Sequence, residues 1–432
     1  VSGGSGAVVA LSMRVFGKST GAPGKVSIAA SALFGTMTGA AVANVIASGS
    51  ITIPMMKKSG YKPAEAAAIE SVASTGSQIM PPVLGSAGFI MAEILQLPFS
   101  QILLAAALPA FFYYVTLFAS VHASRRNEGP EDVNIPLDPD QKSARGAFLL
   151  APIGVLLVGL LGLGYTASTS AFFAILSVPV ATVIATGKWL SFQSLAKAAV
   201  RAADMMISIG LLGACAGIII GVFSLTGLGT KLVNAVLYVS DGNILMVLLL
   251  TMVSSIVLGM GLPTVAVYII LALTVAPAMI QADVAPLAAH FFVFYYGVLA
   301  AITPPVALAT IAAASVANAS IWDAGWRGIK MAIVPYALPF MFVLHPGLLG
   351  IGDFYDIMVA ISVASAFSVF AMLVTTGYLL VEINRMLRWI FAVLAIAVLI
   401  PTLQFWACIV GCALYLVLLV RSSRWMNSPS GT

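Results

Sequence analysis

Four prolines recur in a fixed register. Pro54, Pro63, Pro81 and Pro82 are followed by Pro277, Pro286, Pro304 and Pro305, each 223 residues further on (277 − 54, 286 − 63, 304 − 81, 305 − 82). Proline removes a backbone N–H and fixes φ, so its position dictates where a helix can begin, kink or stop. Four of them in register impose one order of backbone breaks on two parts of the chain. Met37 and Met260, Val42 and Val265, Ala43 and Ala266, Ile46 and Ile269, Met56 and Met279, Ala66 and Ala289, Ile79 and Ile302, and Val83 and Val306 fall on the same offset. Alanine and valine coincidences arise easily in an apolar chain, but prolines in register do not. A duplicated unit is expected.

The medium follows from composition. Of 432 residues, 61% are hydrophobic and 8% charged, against about 25% charged in soluble domains. The apolar runs approach about 20 residues and lack the alternating runs of about 10 expected of a barrel. The reading is an all-α integral membrane protein with roughly a dozen apolar segments. Lysine and arginine lie mostly in short connections, as in cytoplasmic loops, so the net charge of +5 points away from nucleic acid. Lys57-Lys58 and Arg125-Arg126 lean toward the cytoplasm by the same rule. Cys215, Cys408 and Cys412 fall inside apolar segments without metal-ligand spacing and read as free, membrane-buried thiols. The opening VSGGSGAVVALSMRVFG lacks the layout of a signal peptide, and a fragment with further helices upstream is expected. RSSRWMNSPSGT reads as a polar tail.

His122 to Gly146, HASRRNEGPEDVNIPLDPDQKSARG, is the longest polar connection and divides the chain. Residues 1–121 read as a first repeat, 122–146 as the connecting loop, 147–345 as a second repeat with preceding scaffold helices, and 346–432 as extra C-terminal transmembrane helices. Each repeat holds an apolar stretch interrupted at a small-residue tip, about 31–57 and about 257–281, whose halves are too short to cross. These are expected to be re-entrant hairpins. Each hairpin precedes a helix broken before Pro-Pro, about 63–96 and about 286–319. Unwound backbone at membrane depth is tolerated only inside protein or beside a water-filled cavity. There, carbonyls and hydroxyls can hold a cation, and half-helix N-termini favour an anion.

Ser74, Thr75, Gly76 and Ser77 supply oxygens beside the first break, with Thr36, Thr38, Gly39 and Asn44 as the opposing wall. In the second unit Thr303, with the carbonyls of Ala300 and Ala301, faces Gly261, Pro263, Thr264 and Tyr268. Both sets are neutral and oxygen-rich, as suits a hard cation such as Na⁺.

Glu70 and Glu93 lie near the first broken helix, where an intramembrane carboxylate is a functional candidate and a helix-end position is the alternative. Asp204 stands three residues after Arg201, the spacing of a local ion pair. His122, His290 and His345 are scattered and form no metal motif. GKWLSFQSLAKAAVRAAD reads as an interfacial amphipathic helix.

FGTMTGAAVANVIASGSITIPMMKKSGY followed by ESVASTGSQIMPPVLGSAGFIMAE resembles the large membrane subunit of the tripartite ATP-independent periplasmic (TRAP) transporters, over roughly residues 1–345. The ASTGSQIMPP phrase and the extra C-terminal helices resemble the TAXI subtype, whose membrane subunits are commonly fused. The resemblance implies an elevator-type secondary transporter of two inverted repeats, each with a re-entrant hairpin and a discontinuous helix. It implies sodium sites drawn from Thr38, Gly39, Asn44, Gly76 and Ser77 and from Pro263, Thr264, Ala301, Thr303 and Pro304. The substrate, a small organic anion such as a dicarboxylate, 2-oxo acid or glutamate, would lie between the hairpin tips near Thr36, Ala40, Ser74, Thr75, Gly261 and Tyr268. The implied partners are a periplasmic TAXI-type solute-binding protein and a small membrane subunit, in the bacterial inner membrane. Relatives carry a Ser-rich tip where this chain has Thr38-Gly39-Ala40-Ala41, and no arginine stands at either tip.

Two other readings remain open. A divalent-anion/sodium symporter would work without a binding protein, and a membrane scaffold subunit would carry no flux. A membrane enzyme would need a catalytic dyad or metal motif in its spans, and the sequence has none. No P-loop is present for ATP hydrolysis. No cofactor is expected beyond Na⁺ as coupling ion.

Overall fold

The computed structural model describes residues 4–125, 148–378 and 383–426, all built from helices, with no strand among the described residues. The first part runs α1 Gly4–Phe16, α2 Ala22–Thr38, α3 Ala41–Lys58, α4 Pro63–Gly76, α5 Gly85–Leu95 and α6 Phe99–Ser124. After the polar connection, most of which lies outside the described residues, come α7 Ala151–Leu157, α8 Ala167–Thr186, α9 Phe192–Thr226 and α10 Leu228–Ser240. Next are α11 Ile244–Gly259, α12 Thr264–Thr274, α13 Ala276–Gln281, α14 Pro286–Leu299, α15 Leu308–Ala317, α16 Ile321–Met331 and α17 Ile333–Leu344. Helices α18 Phe354–Thr376, α19 Arg385–Leu399 and α20 Gln404–Met426 complete the chain.

Proline and glycine explain these bounds. Pro63 and Pro286 sit in the first turns of α4 and α14, where a missing N–H removes nothing. Gly39, with φ 61°, ends α2 in the left-handed region and lets α3 start two residues later, so that α2 and α3 pack together as a hairpin. The hairpin begins at Ala22, earlier than the sequence suggests, because GKVSIAASALFG continues the helix without a breaker. Helices α4 and α14 each pass into a 3-10 turn, Ser77–Ile79 and Ala300–Ile302. Extended Met80 and Thr303 follow, and left-handed Leu84 and Ala307 precede α5 and α15. The starts of α4 and α14, and of α5 and α15, are thus 223 residues apart (286 − 63, 308 − 85).

Among the described residues, four stretches are long and apolar enough to cross a membrane: Phe99–Ser124, Ala167–Thr186, Thr264–Gln281 and Phe354–Thr376. Helices α16 and α17 add a fifth as a pair bent by 44°. The sequence suggests more crossings because its apolar runs are longer than the helices they form; α5, α11, α14 and α15 are apolar but short. GKWLSFQSLAKAAVRAAD is not a separate surface helix: from Phe192 it is the start of the 35-residue α9, since no proline interrupts the run to Thr226.

Helix α4 sits at the centre. It packs against α2, α3, α15 and α16, and every residue from Ala66 to Gly76 is buried. Its alanines allow this close approach. Tyr113 and Tyr114 of α6 pack behind it and donate hydrogen bonds to the Val72 and Ala73 carbonyls at 2.8 and 3.0 Å. At the far end of the hairpin, Arg125 pairs with Glu65 at 3.0 Å and lies 3.5 Å from the Tyr61 ring centroid. Lys57 donates to the Ala317 carbonyl at 2.7 Å, joining the end of α3 to the end of α15. The three cysteines are free; Cys215 and Cys412 are exposed on the helix surface and Cys408 is half-buried.

Candidate functional site

The first break meets the first hairpin backbone to backbone. A Cβ on Gly35 would lie 1.9 Å from the Ser77 Cβ, and one on Gly39 would lie 2.5 Å from the Gly85 Cα. Glycine at both positions lets α2 touch the start of the break and the tip touch the start of α5. A Cβ on Gly76 would fall 2.3 Å from the Tyr113 ring, which pins the last helical turn. Ser77 is therefore brought against Gly35 and Gly39 against Gly85, while Gly76 packs on Tyr113. The side chains of Thr36 and Thr38 lie outside the described ones, and Ala40 is exposed at the tip.

The hydroxyls here have distinct partners. Ser74 donates to Glu70 Oε1 at 3.1 Å, and Ser77 donates to the Ser74 carbonyl at 2.6 Å. Asn44 faces its own hairpin and donates to the Ser31 carbonyl at 2.9 Å. Thr75 Oγ1 and Gln78 Nε2 are buried without a hydrogen-bond partner. An unpartnered buried amide or hydroxyl is destabilising by about 1–3 kcal/mol unless something satisfies it; Ser255, Tyr295 and Thr310 carry such atoms elsewhere among the described residues. Gln78 also reaches the second unit, where its Oε1 accepts a hydrogen bond from Thr264 at the start of α12.

The second break is more open. Gly261 and Pro263 are exposed, and Thr264, Ala301, Thr303 and Pro304 are half-buried. The contact corresponding to Gly35 is made by Gly259, where a Cβ would lie 2.9 Å from the Ala300 Cβ. Gly261, with φ 78°, turns the chain at the tip. The Thr303 hydroxyl donates to the Leu299 carbonyl at 2.7 Å and lies 2.6 Å from the Tyr336 hydroxyl of α17. Tyr268 is buried one turn inward, its hydroxyl 2.8 Å from His290 Nδ1, so it faces α14. Of the two carboxylates singled out in the sequence, Glu93 is exposed and Glu70 is wholly buried.

Gln78, Gly35 and Tyr336 escape the sequence reading. Gln78 carried a signal, an amide inside the apolar stretch that follows Ser77. Gly35 offered only its place in a small-residue run, and Tyr336 offered none, lying well beyond the duplicated motif.

Two helix breaks, each facing a helical hairpin in an apolar helical bundle, describe a multi-pass membrane protein. Residues 1–357 match the family described as "Tripartite ATP-independent periplasmic transporter, DctM component", and the chain belongs to that family. No curated protein matches the chain. The family defines it as a permease component of a transporter, in a system whose other parts are a periplasmic binding protein and a small membrane subunit.

Proposed function

We propose that this chain is the TAXI-type permease of a sodium-coupled symporter in the bacterial inner membrane. It imports a small organic anion, a dicarboxylate, 2-oxo acid or glutamate-like compound, handed over by a periplasmic TAXI-type binding protein. The observation that carries the reading is the bond between Gln78 in the first break and Thr264 at the second hairpin. It joins the two oxygen-rich regions, so that an ion at one can influence the other.

Several features support the finer points. The equal spacing of α4 with α14 and of α5 with α15 favours two repeats, and the two hairpin-to-break contacts favour an elevator that moves hairpins and broken helices as one body. Neutral oxygens at Gly39, Gly76, Ser77, Thr264, Ala301 and Thr303 suit Na⁺. The unpartnered Gln78 amide gives a carboxylate a donor where no arginine stands. Uptake by the full-length permease, reconstituted with its small subunit and binding protein, tests this. An inward Na⁺ gradient should drive accumulation and K⁺ replacement should abolish it. Uptake indifferent to Na⁺ removes sodium coupling, and uptake without the binding protein favours the divalent-anion symporter instead.

A further inference from the structure

A cavity of about 450 Å³ opens between the turn that joins α17 to α18 and the turn that joins α19 to α20. His345, Tyr355, Asp356, Val359, Pro401 and Gln404 are among the residues that line it. The family match ends at residue 357, so Val359, Pro401 and Gln404 complete the cavity from beyond it. Glycine shapes the wall. A Cβ on Gly347 would fall 2.3 Å from the Asp356 carbonyl oxygen, and one on Gly352, with φ 108°, would fall 2.4 Å from Asp356 Oδ2. The turn therefore closes directly on this aspartate.

The side chains lining this space leave acceptors over. Gln404 Oε1 is buried without a hydrogen-bond partner, and so is His345 Nε2. The His345 ring hydrogen-bonds the backbone of Leu399 at the end of α19, a contact that favours the charged ring and so runs from a ring N–H to the carbonyl. A neutral imidazole has one N–H. With that N–H spent on Leu399, Nε2 is left as a lone pair. Asp356 Oδ2 accepts from the Asp353 N–H at 3.1 Å as part of the capping box of α18. Among the described residues no cation pairs with either aspartate. Two acceptors and an uncompensated carboxylate thus share one cavity, and no lysine or arginine lines it.

We propose that this cavity binds the primary ammonium of a phosphatidylethanolamine headgroup. An ammonium carries three N–H donors and no acceptor. The Gln404 side-chain carbonyl, His345 Nε2 and the Asp356 carboxylate match those donors one for one. The space is of the size that holds a small organic group, about 300–1,000 Å³, and far exceeds a bare metal ion. Position selects a lipid as the source. Phe354–Thr376 is long and apolar enough to cross a membrane, and Tyr355 and Asp356 stand in its first turn, so the cavity lies where a span begins. Phe354 and Tyr355 on one side and Phe405 and Trp406 on the other are exposed, as aromatic side chains are at the membrane–water boundary. Exposed Met358, Ile400 and Leu403 continue an apolar surface along which acyl chains can lie. The headgroup joins the α17–α18 turn to the α19–α20 turn, and so holds the helices beyond the family match onto the rest of the bundle.

Lipid titrations of the purified full-length permease in detergent, read by native mass spectrometry, test the site independently of transport. Dioleoylphosphatidylethanolamine should bind at least about tenfold more tightly than dioleoylphosphatidylcholine, whose trimethylated nitrogen has no N–H. It should also bind more tightly than dioleoylphosphatidylglycerol, which has no nitrogen. Gln404→Leu removes one acceptor, and Asp356→Asn removes the charge while keeping a side-chain oxygen. Each should weaken phosphatidylethanolamine about tenfold and leave the other two lipids unchanged. Equal binding of phosphatidylethanolamine and phosphatidylcholine to the parent overturns the proposal, and this comparison decides the matter if a variant fails to fold. Parent-like binding in both variants overturns it as well. Displacement of the lipid by an equal concentration of free ethanolamine overturns the lipid assignment and gives the site to a soluble amine.

Discussion

Gly35 meets Ser77 with no room for a side chain, an added Cβ falling 1.9 Å from the Ser77 Cβ. The contact sets how deeply the first hairpin reaches into the broken helix, because both partners are backbone-rigid and no flexible side chain can yield. Gly35→Ala should force the hairpin away from the break, an overpacking penalty of about 1–3 kcal/mol. Sodium-driven uptake should fall at least about tenfold, the effect of some 1.4 kcal/mol. Gly210→Ala, on a helix surface with nothing within 4 Å among the described residues, should leave uptake unchanged. Parent-like uptake in Gly35→Ala would mean that the close contact is not needed for transport.

The bond between Gln78 and Thr264 makes a claim about coupling between the two units. Gln78→Ala and Thr264→Val should each raise the substrate concentration for half-maximal uptake. The double variant should be less impaired than the product of the two, with an interaction energy of about 1 kcal/mol. Strictly multiplicative effects in the double-mutant cycle would show that the bond carries no coupling.

The backbone breaks are legible in the sequence because proline constrains its own residue. Pro81 and Pro304 mark the points beyond which α4 and α14 do not continue, and Gly39 marks a tip that needs a left-handed residue. Hydroxyls are different, since a serine carries the same letter whichever partner it finds. Ser74, Thr75 and Ser77 read alike as a row of oxygens beside a break. In the fold, Ser74 serves Glu70, Ser77 serves the Ser74 carbonyl, and Thr75 is left without a partner. That Ser27 and Ser48 also donate to Glu70 was out of reach for the same reason: they lie 43 and 22 residues away in sequence. Only the packing of α2, α3 and α4 brings them to one carboxylate.

Lys57 caps the last turn of α15, placing a positive charge on the Ala317 carbonyl at the negative end of the helix dipole. Lys57→Met should lower stability by about 1 kcal/mol through loss of this charged hydrogen bond. Thermal unfolding of the purified permease measures it, and Lys58→Met, the exposed neighbour, is the control. Equal midpoints for the two variants would mean that the cap contributes nothing measurable.

Thr303 tests whether the sodium site proposed at the second break uses a side-chain oxygen. Its hydroxyl donates to the Leu299 carbonyl, and the Tyr336 hydroxyl at 2.6 Å occupies one of its two lone pairs, so one remains for a cation. Thr303→Val keeps the shape but removes that oxygen, and should raise the half-saturating Na⁺ concentration about tenfold, as for one charge-assisted contact of about 1.5 kcal/mol. Thr303→Ser should retain the parent value. Tyr336→Phe should leave sodium affinity equal or higher, because it frees a lone pair without removing the threonine. Sodium titration of initial uptake rates separates the cases. If Thr303→Val titrates like the parent, the hydroxyl is no ligand. Coordination then falls to backbone carbonyls, of which Ala300 already accepts from the Thr303 N–H at 3.2 Å, and Ala301 would be the next to test by altering the turn itself.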